Sequence, residues 1–279
     1  MTNDGLAARG SPLLRFVQAR QWDQAIALAR RPGAARDPDI ARRVIAYCTA
    51  MREGRREHRV QVGDIAFTLR LGEDNFGHDI FVAAGELQEQ REMQIIATLP
   101  APPGSTLVDV GANAGAWTVF LAKAFPLSTV VPLECVPALC EEVRANVALN
   151  GLANVDLGRL GRAVGRGPGR ARLVPDAYHG AVGTRVTRDD AGDVEVVSID
   201  SLALQQVAFV KIDVEGQEIA ALDGLTETIR RKRFPVLVEV QSANWLRFLK
   251  FLCTKQWRVL AISEGPVGAT YANILIGPV

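Results

Sequence analysis

No apolar stretch of this chain approaches the roughly 20 residues of a membrane-spanning helix, so no membrane span is expected. The opening Met-Thr-Asn-Asp-Gly has neither the basic nor the apolar region of a secretory signal, which makes the cytoplasm the expected location. Cysteine is scarce. Cys48, Cys135, Cys140 and Cys253 form no C-x-x-C pair and have no histidine at metal-ligand spacing, so reduced, mostly buried thiols are expected and no metal centre is assigned. An excess of one charge is also absent, with 32 Lys and Arg against 31 Asp and Glu. A nucleic-acid partner would need a basic stripe, and none is expected. The clusters Arg52 to Arg59 and Arg230 to Arg233 read as solvated faces, the second closing a helix where cations complement the dipole. The remaining composition, 48% hydrophobic over 279 residues, is that of one large α/β domain with an accessory segment.

Two phosphate-binding signatures are missing as well. No Gly-Lys-Ser/Thr follows a glycine-rich turn, which excludes a Walker loop, and the middle glycine of a dinucleotide fingerprint is replaced by Asn113. The surrounding stretch, residues 106–118, is nevertheless a strand, a small-residue turn and a helix. Leu107, Val108 and Val110 make a buried parallel strand, and Gly111 and Gly115 remove Cβ where the chain reverses. The ligand this leaves has an adenosine and no phosphates, and S-adenosylmethionine fits. Asp109 would meet its ammonium; the turn amides of Gly111, Ala112, Asn113 and Gly115, or the Asn113 side chain, would meet its carboxylate at a helix N-terminus. Trp117 and Thr118 on the helix join the candidate set. The competing reading is a glycine-rich turn with no ligand.

Glu134 ends the second strand, 25 positions after Asp109, where a ribose diol is hydrogen-bonded in such sheets; the alternative is an exposed strand-end carboxylate. Cys135 then falls beside the adenine, Asp156 faces its amino group, and Ala163 completes the cofactor-binding candidates.

Along the chain, apolar spacing predicts a helical hairpin over residues 12–31 and 38–53, broken near Pro32-Gly33. Alternation from Val60 to Leu71 predicts a β-hairpin, residues 74–79 a polar turn, and residues 85–99 a helix carrying Glu86, Glu89 and Glu92. Strand-helix units follow, with strands at residues 129–134, 154–157, 207–213 and 235–240. An excursion at 171–199 has two strand-like pieces around a loop at 176–185, and a last helix precedes an antiparallel pair at 258–263 and 271–276. The expected organisation is a helical accessory segment (1–57), a small β-hairpin region (58–84) and an α/β domain (85–279). The N-terminal segment, with Leu13, Leu14, Phe16 and Trp22, either covers the active-site side of the sheet or joins two chains as a homodimer.

Taken together, Val108-Asp-Val-Gly-Ala-Asn-Ala-Gly115, Glu134 with Pro137, Asn146, Asn150-Gly151, Val197-Ser-Ile-Asp-Ser-Leu202, Val210-Lys-Ile-Asp-Val-Glu-Gly-Gln-Glu218 and Pro235-Val-Leu-Val-Glu239 resemble the FkbM family of class I S-adenosylmethionine-dependent methyltransferases. The likeness covers about residues 85–262. It implies a Rossmann-like sheet of seven strands with the last hairpin antiparallel. It also implies O-methylation of a hydroxyl on a natural product, sugar or glycan. Cys135 stands where the family usually has proline, and residues 1–60 have no counterpart in the family core.

For catalysis, Asp213 and Glu215 sit at the end of strand four. They would orient the acceptor hydroxyl, take its proton or hold a cation; the alternative is capping of the next helix. Lys211 alternates with Asp213 and would pair with a carboxylate. His179, in the 176–185 loop, is a second candidate base because an imidazole titrates near neutrality. The competing functions are N-methyl transfer, a non-catalytic partner that keeps the cofactor site, and, more remotely, a nicotinamide oxidoreductase.

Overall fold

A computed structural model describes residues 12–31, 38–72, 75–176, 180–231, 233–264 and 270–278. Three helices come first, α1 (Pro12–Gln18), α2 (Trp22–Ala29) and α3 (Pro38–Arg52). The expected continuous helix over 12–31 is therefore two. Arg20 takes a left-handed φ of 55°, and the Arg20 and Gln21 amides turn back onto the carbonyls of Val17 and Phe16. The hairpin β1 (Glu57–Val62) and β2 (Ile65–Arg70) follows as expected, with Val62 opposite Ile65.

Helix α4 (Phe76–Ala83) occupies most of the expected polar turn, because Ile80, Phe81 and Val82 bury a short apolar face. Only the second half of the helix expected over 85–99 forms, as α5 (Gln90–Ala97).

The main sheet is built from β3 (Thr106–Val110), β4 (Thr129–Leu133), β9 (Val207–Ile212), β10 (Val236–Gln241), β11 (Trp257–Glu264) and β12 (Tyr271–Pro278), in the order β11-β12-β10-β9-β3-β4. Strands β4, β3, β9 and β10 are parallel, and β12 runs antiparallel to both its neighbours, as the expected terminal hairpin requires. Helices α6 (Ala116–Ala124), α7 (Pro137–Leu149), α8 (Glu218–Asp223), α9 (Thr226–Arg231) and α10 (Trp245–Lys255) connect and cover the strands. This is an α/β, Rossmann-like sheet.

Among the described residues the main sheet has six strands, against the seven the resemblance implies. At residues 154–157 only Val155 bridges Val130, because the Asp156 side chain accepts from the Gly158 amide at 2.9 Å and bends the chain into a 3₁₀ turn. The excursion is a sheet of its own, β5 (Arg162–Val164), β6 (Gly169–Asp176), β7 (Gly180–Arg188) and β8 (Val194–Val197), ordered β5-β8-β6-β7. Much of the expected loop at 176–185 is thus a β6–β7 hairpin.

Strand alternation sends the main sheet's apolar side chains to two clusters, one on each face. Leu107, Phe209, Leu237 and Leu275 face one cluster, which also takes in α1 to α6 and the β1–β2 hairpin; Val108, Val210, Val238 and Ile274 face the other, with α8 and α10. The first cluster runs from Leu13 to Leu275, across the expected boundaries at 57/58 and 84/85. Two asparagines stitch the hairpin to this body. Asn146, fully buried, accepts from the Arg70 amide at 2.8 Å and donates to the Ala114 carbonyl at 2.7 Å. Asn150 accepts from the Thr68 amide at 3.0 Å and donates back to the Thr68 carbonyl at 2.7 Å.

Candidate active site

Alternation also builds the site. The same side of each strand that is apolar at its base turns polar toward the C-terminal edge of the parallel strands: Leu107 then Asp109, Phe209 then Lys211 and Asp213, Leu237 then Glu239. On antiparallel β12 the order is Leu275 then Asn273. Register sets Asp109 beside Lys211 and Glu239 beside Asn273. The Lys211 ammonium donates to Asp213 Oδ2 at 3.1 Å, so the pair expected from the sequence is formed. Burial alone would lower the Lys211 pKa, but Asp213, Glu89 and Asp109 hold it above the ordinary lysine range.

Asp109 is fully buried. Its Oδ2 accepts from the Thr118 hydroxyl at 2.6 Å, while its Oδ1 has no hydrogen-bond partner among the described residues. Burial raises its pKa against the opposing Lys211 charge and Thr118 hydroxyl. The adjoining turn is held open by glycine where it must be. Gly111 has φ +79°, and a Cβ there would meet the Asp213 carbonyl oxygen at 1.7 Å. Gly115, at φ +86°, packs on Val143.

The turn amides expected to meet the ligand carboxylate are largely engaged inside the protein. Gly111 and Ala112 donate to the Leu133 carbonyl, Gly115 to the Ala112 carbonyl, and Asn113 to Glu134 Oε2 at 2.9 Å. The Asn113 side chain is different. Its Oδ1 accepts from Asn75 at 2.7 Å, which fixes the amide and makes its nitrogen the group to offer a ligand.

Glu134 is 7% exposed, not an open strand-end carboxylate. Its Oε1 accepts from the Cys135 and Val136 amides at 2.8 and 2.9 Å, and burial raises its pKa against these bonds. A carboxylate has about four lone-pair sites, so three amides leave capacity for a hydroxyl. Cys135 follows directly, its thiol pushed well up by burial. Asp156 sits one strand further out, its carboxylate on the Gly158 amide, and Ala163 is buried on β5.

Glu215, at φ 45°, accepts from Gln241 at 3.2 Å; desolvation, then Asp213 and Glu218, push its pKa up to about 7. Glu239 is pushed up to about 10, chiefly by burial and then by Asp213 and Glu89. His179 lies outside the described residues.

Sequence reasoning read Glu89 only as part of a helix, yet the structure brings it into the site. It stands at the N-terminal edge of α5, where Trp117 Nε1 donates to its Oε2 at 2.5 Å and Asn273 Nδ2 to its Oε1 at 3.0 Å. No local signal separates it from Glu86, which pairs with Arg42 and Arg43, or from Glu92. Asn75 was missed for the same reason, since its role depends on a contact to Asn113.

Residues 109–262 match the Methyltransferase FkbM domain. Two curated relatives are fungal: Methyltransferase sdnD of Sordaria araneosa, 28% identical over 187 residues (54% of this chain, 71% of the relative), and Methyltransferase 1 of Beauveria bassiana, 23% identical over 159 residues (46% of this chain, 61% of the relative). Among solved structures, a methyltransferase FkbM from Methylobacillus flagellatus aligns with 96% of this chain and 60% of its own at 14% identity and a TM-score of 0.46. No helix among the described residues is long and apolar enough to cross a membrane.

Proposed function

Because the chain belongs to the FkbM methyltransferase family, we propose that it moves a methyl group from S-adenosylmethionine to a hydroxyl oxygen of a natural product, sugar or glycan. The observation that carries the reading is Asp109 Oδ1, a fully buried carboxylate oxygen without a donor among the described residues, at the edge where such sheets take their ligands. An ammonium would satisfy it. Glu134 would hold a ribose hydroxyl, and the amide nitrogen of Asn113 the methionine carboxylate. The donor, once bound, supplies an electrophilic methyl on a sulfonium.

The protein's own part is to align the acceptor oxygen and take its proton. Alignment supplies much of the rate in such a displacement. Glu215, with a pKa of about 7, exchanges a proton near neutrality and suits general-base work better than an ordinary carboxylate. Asp213, held by Lys211, suits orientation of the hydroxyl. His179 remains the other candidate base. The N-terminal helices share the core that backs this sheet face, which supports the covering role over dimerisation.

Calorimetric titration of S-adenosylmethionine tests the reading. Loss of a hydrogen bond to a charged group weakens binding by about 1.5 to 3 kcal/mol, so Asp109→Ala should raise Kd roughly tenfold to a hundredfold. Unchanged affinity would remove the assignment.

A further inference from the structure

Glu89, Asp213 and Glu239 reach one point from three separate parts of the chain: the edge of α5, the end of β9 and the middle of β10. One carboxylate oxygen from each lies within 4.8 Å of the others. Oxygens bound to a common calcium ion at about 2.4 Å can be at most about 4.8 Å apart, so the three carboxylates lie close enough for their side chains to share one divalent cation.

Acidic clusters are common, and Asn273 supplies the independent sign. It is 5% exposed, stands opposite Glu239 in the β10–β12 ladder, and fixes Glu89 through its Nδ2. Its Oδ1, on the same buried side chain, has no donor among the described residues. Carboxylates with an amide oxygen, and no nitrogen or sulfur ligand, are the donor set of a hard cation.

We propose that Glu89, Asp213, Glu239 and Asn273 Oδ1 bind a divalent cation of the magnesium, calcium or manganese class beside the methyl-transfer site. There it would hold the acceptor hydroxyl oxygen and make its proton easier to remove. That last role rests on the function proposed above; the binding itself does not.

Manganese binding to the full chain, followed by the electron paramagnetic resonance signal of free Mn²⁺, tests it. About one ion per chain should bind without any methyl donor. Glu89→Gln and Glu239→Gln should each raise Kd about tenfold or more. Asn273→Asp, which adds a charge to the same ligand set, should lower Kd severalfold, a gain that a folding defect cannot produce. No saturable binding to the wild type, equal binding by the Gln variants, or weaker binding by Asn273→Asp would overturn the site. Titrating S-adenosylmethionine into the same preparations separates the two readings: donor binding without Mn²⁺ binding overturns the cation site alone, and the reverse overturns only the donor assignment.

Discussion

Replacing Glu134 by Gln separates a structural role from a ligand role at one residue. The carboxylate takes two amides on Oε1 and the Asn113 amide on Oε2. The isosteric amide keeps one oxygen, which can retain the Cys135 and Val136 pair, and its NH₂ then faces the Asn113 N–H donor to donor. One charge-assisted bond disappears and a buried donor is stranded, together about 2 to 3 kcal/mol. Glu134 is 7% exposed, so solvent relieves little of this. In a chain of this size 1 kcal/mol moves Tm by about 2 to 4 °C, which puts the apo variant roughly 5 to 10 °C lower by calorimetry. The ribose contact is read with two ligands, S-adenosylhomocysteine and its 2′-deoxy counterpart. In the wild type the missing hydroxyl should weaken binding about tenfold or more, and in Glu134→Gln by less than about threefold. The same penalty in both proteins would refute the ribose assignment, and an unchanged Tm would refute the three-amide anchor.

Two glycines test whether close approach matters for the fold or for the site. Gly111→Ala and Gly224→Ala both drive a Cβ into a backbone carbonyl, at 1.7 Å from Asp213 and 2.2 Å from Gly165. Both should lower Tm, but only Gly111→Ala should abolish donor binding while the fold persists; equal loss of affinity in both would reject the close contact as a site feature. Asp109→Asn carries a pH signature. Because burial raises the folded-state pKa above the unfolded value of about 3.9, the native protein retains a proton the unfolded chain has lost, and stability falls as pH rises from about 4 through the folded value. The apo variant should therefore melt above the wild type at pH 7 to 8, with the gap closing toward pH 4, and a gap that widens toward acid would contradict the sign.

The strand-turn-helix at 106–118 was legible because its signals are local: a β-forming run, glycines where φ is positive, and a helix that begins at once. Alternation was equally legible in Leu107/Asp109 and Phe209/Lys211/Asp213, which is why Lys211 and Asp213 could be paired in advance. Other features depend on contacts that spacing does not encode. Val155 looks like a strand residue, but Asp156 captures the Gly158 amide and ends the pairing after one bridge. Residues 74–79 look like a turn until Tyr47 stacks edge-on against Phe76 at 5.2 Å and α3 packs along the helix that starts there. Glu89 reads like any helical glutamate, and only Trp117 and Asn273 distinguish it.

The side chains of Asn146 and Asn150 meet the backbone of β2 as a neighbouring strand would, one through the Arg70 amide and the other through both polar groups of Thr68. The free margin of a two-stranded ribbon is thereby closed to pairing with other chains. The same Asn146 also holds the Ala114 carbonyl inside the glycine turn. The ribbon and the turn thus share one amide, and an exchange of the ribbon between related proteins would carry over function only if position 146 were exchanged to suit it.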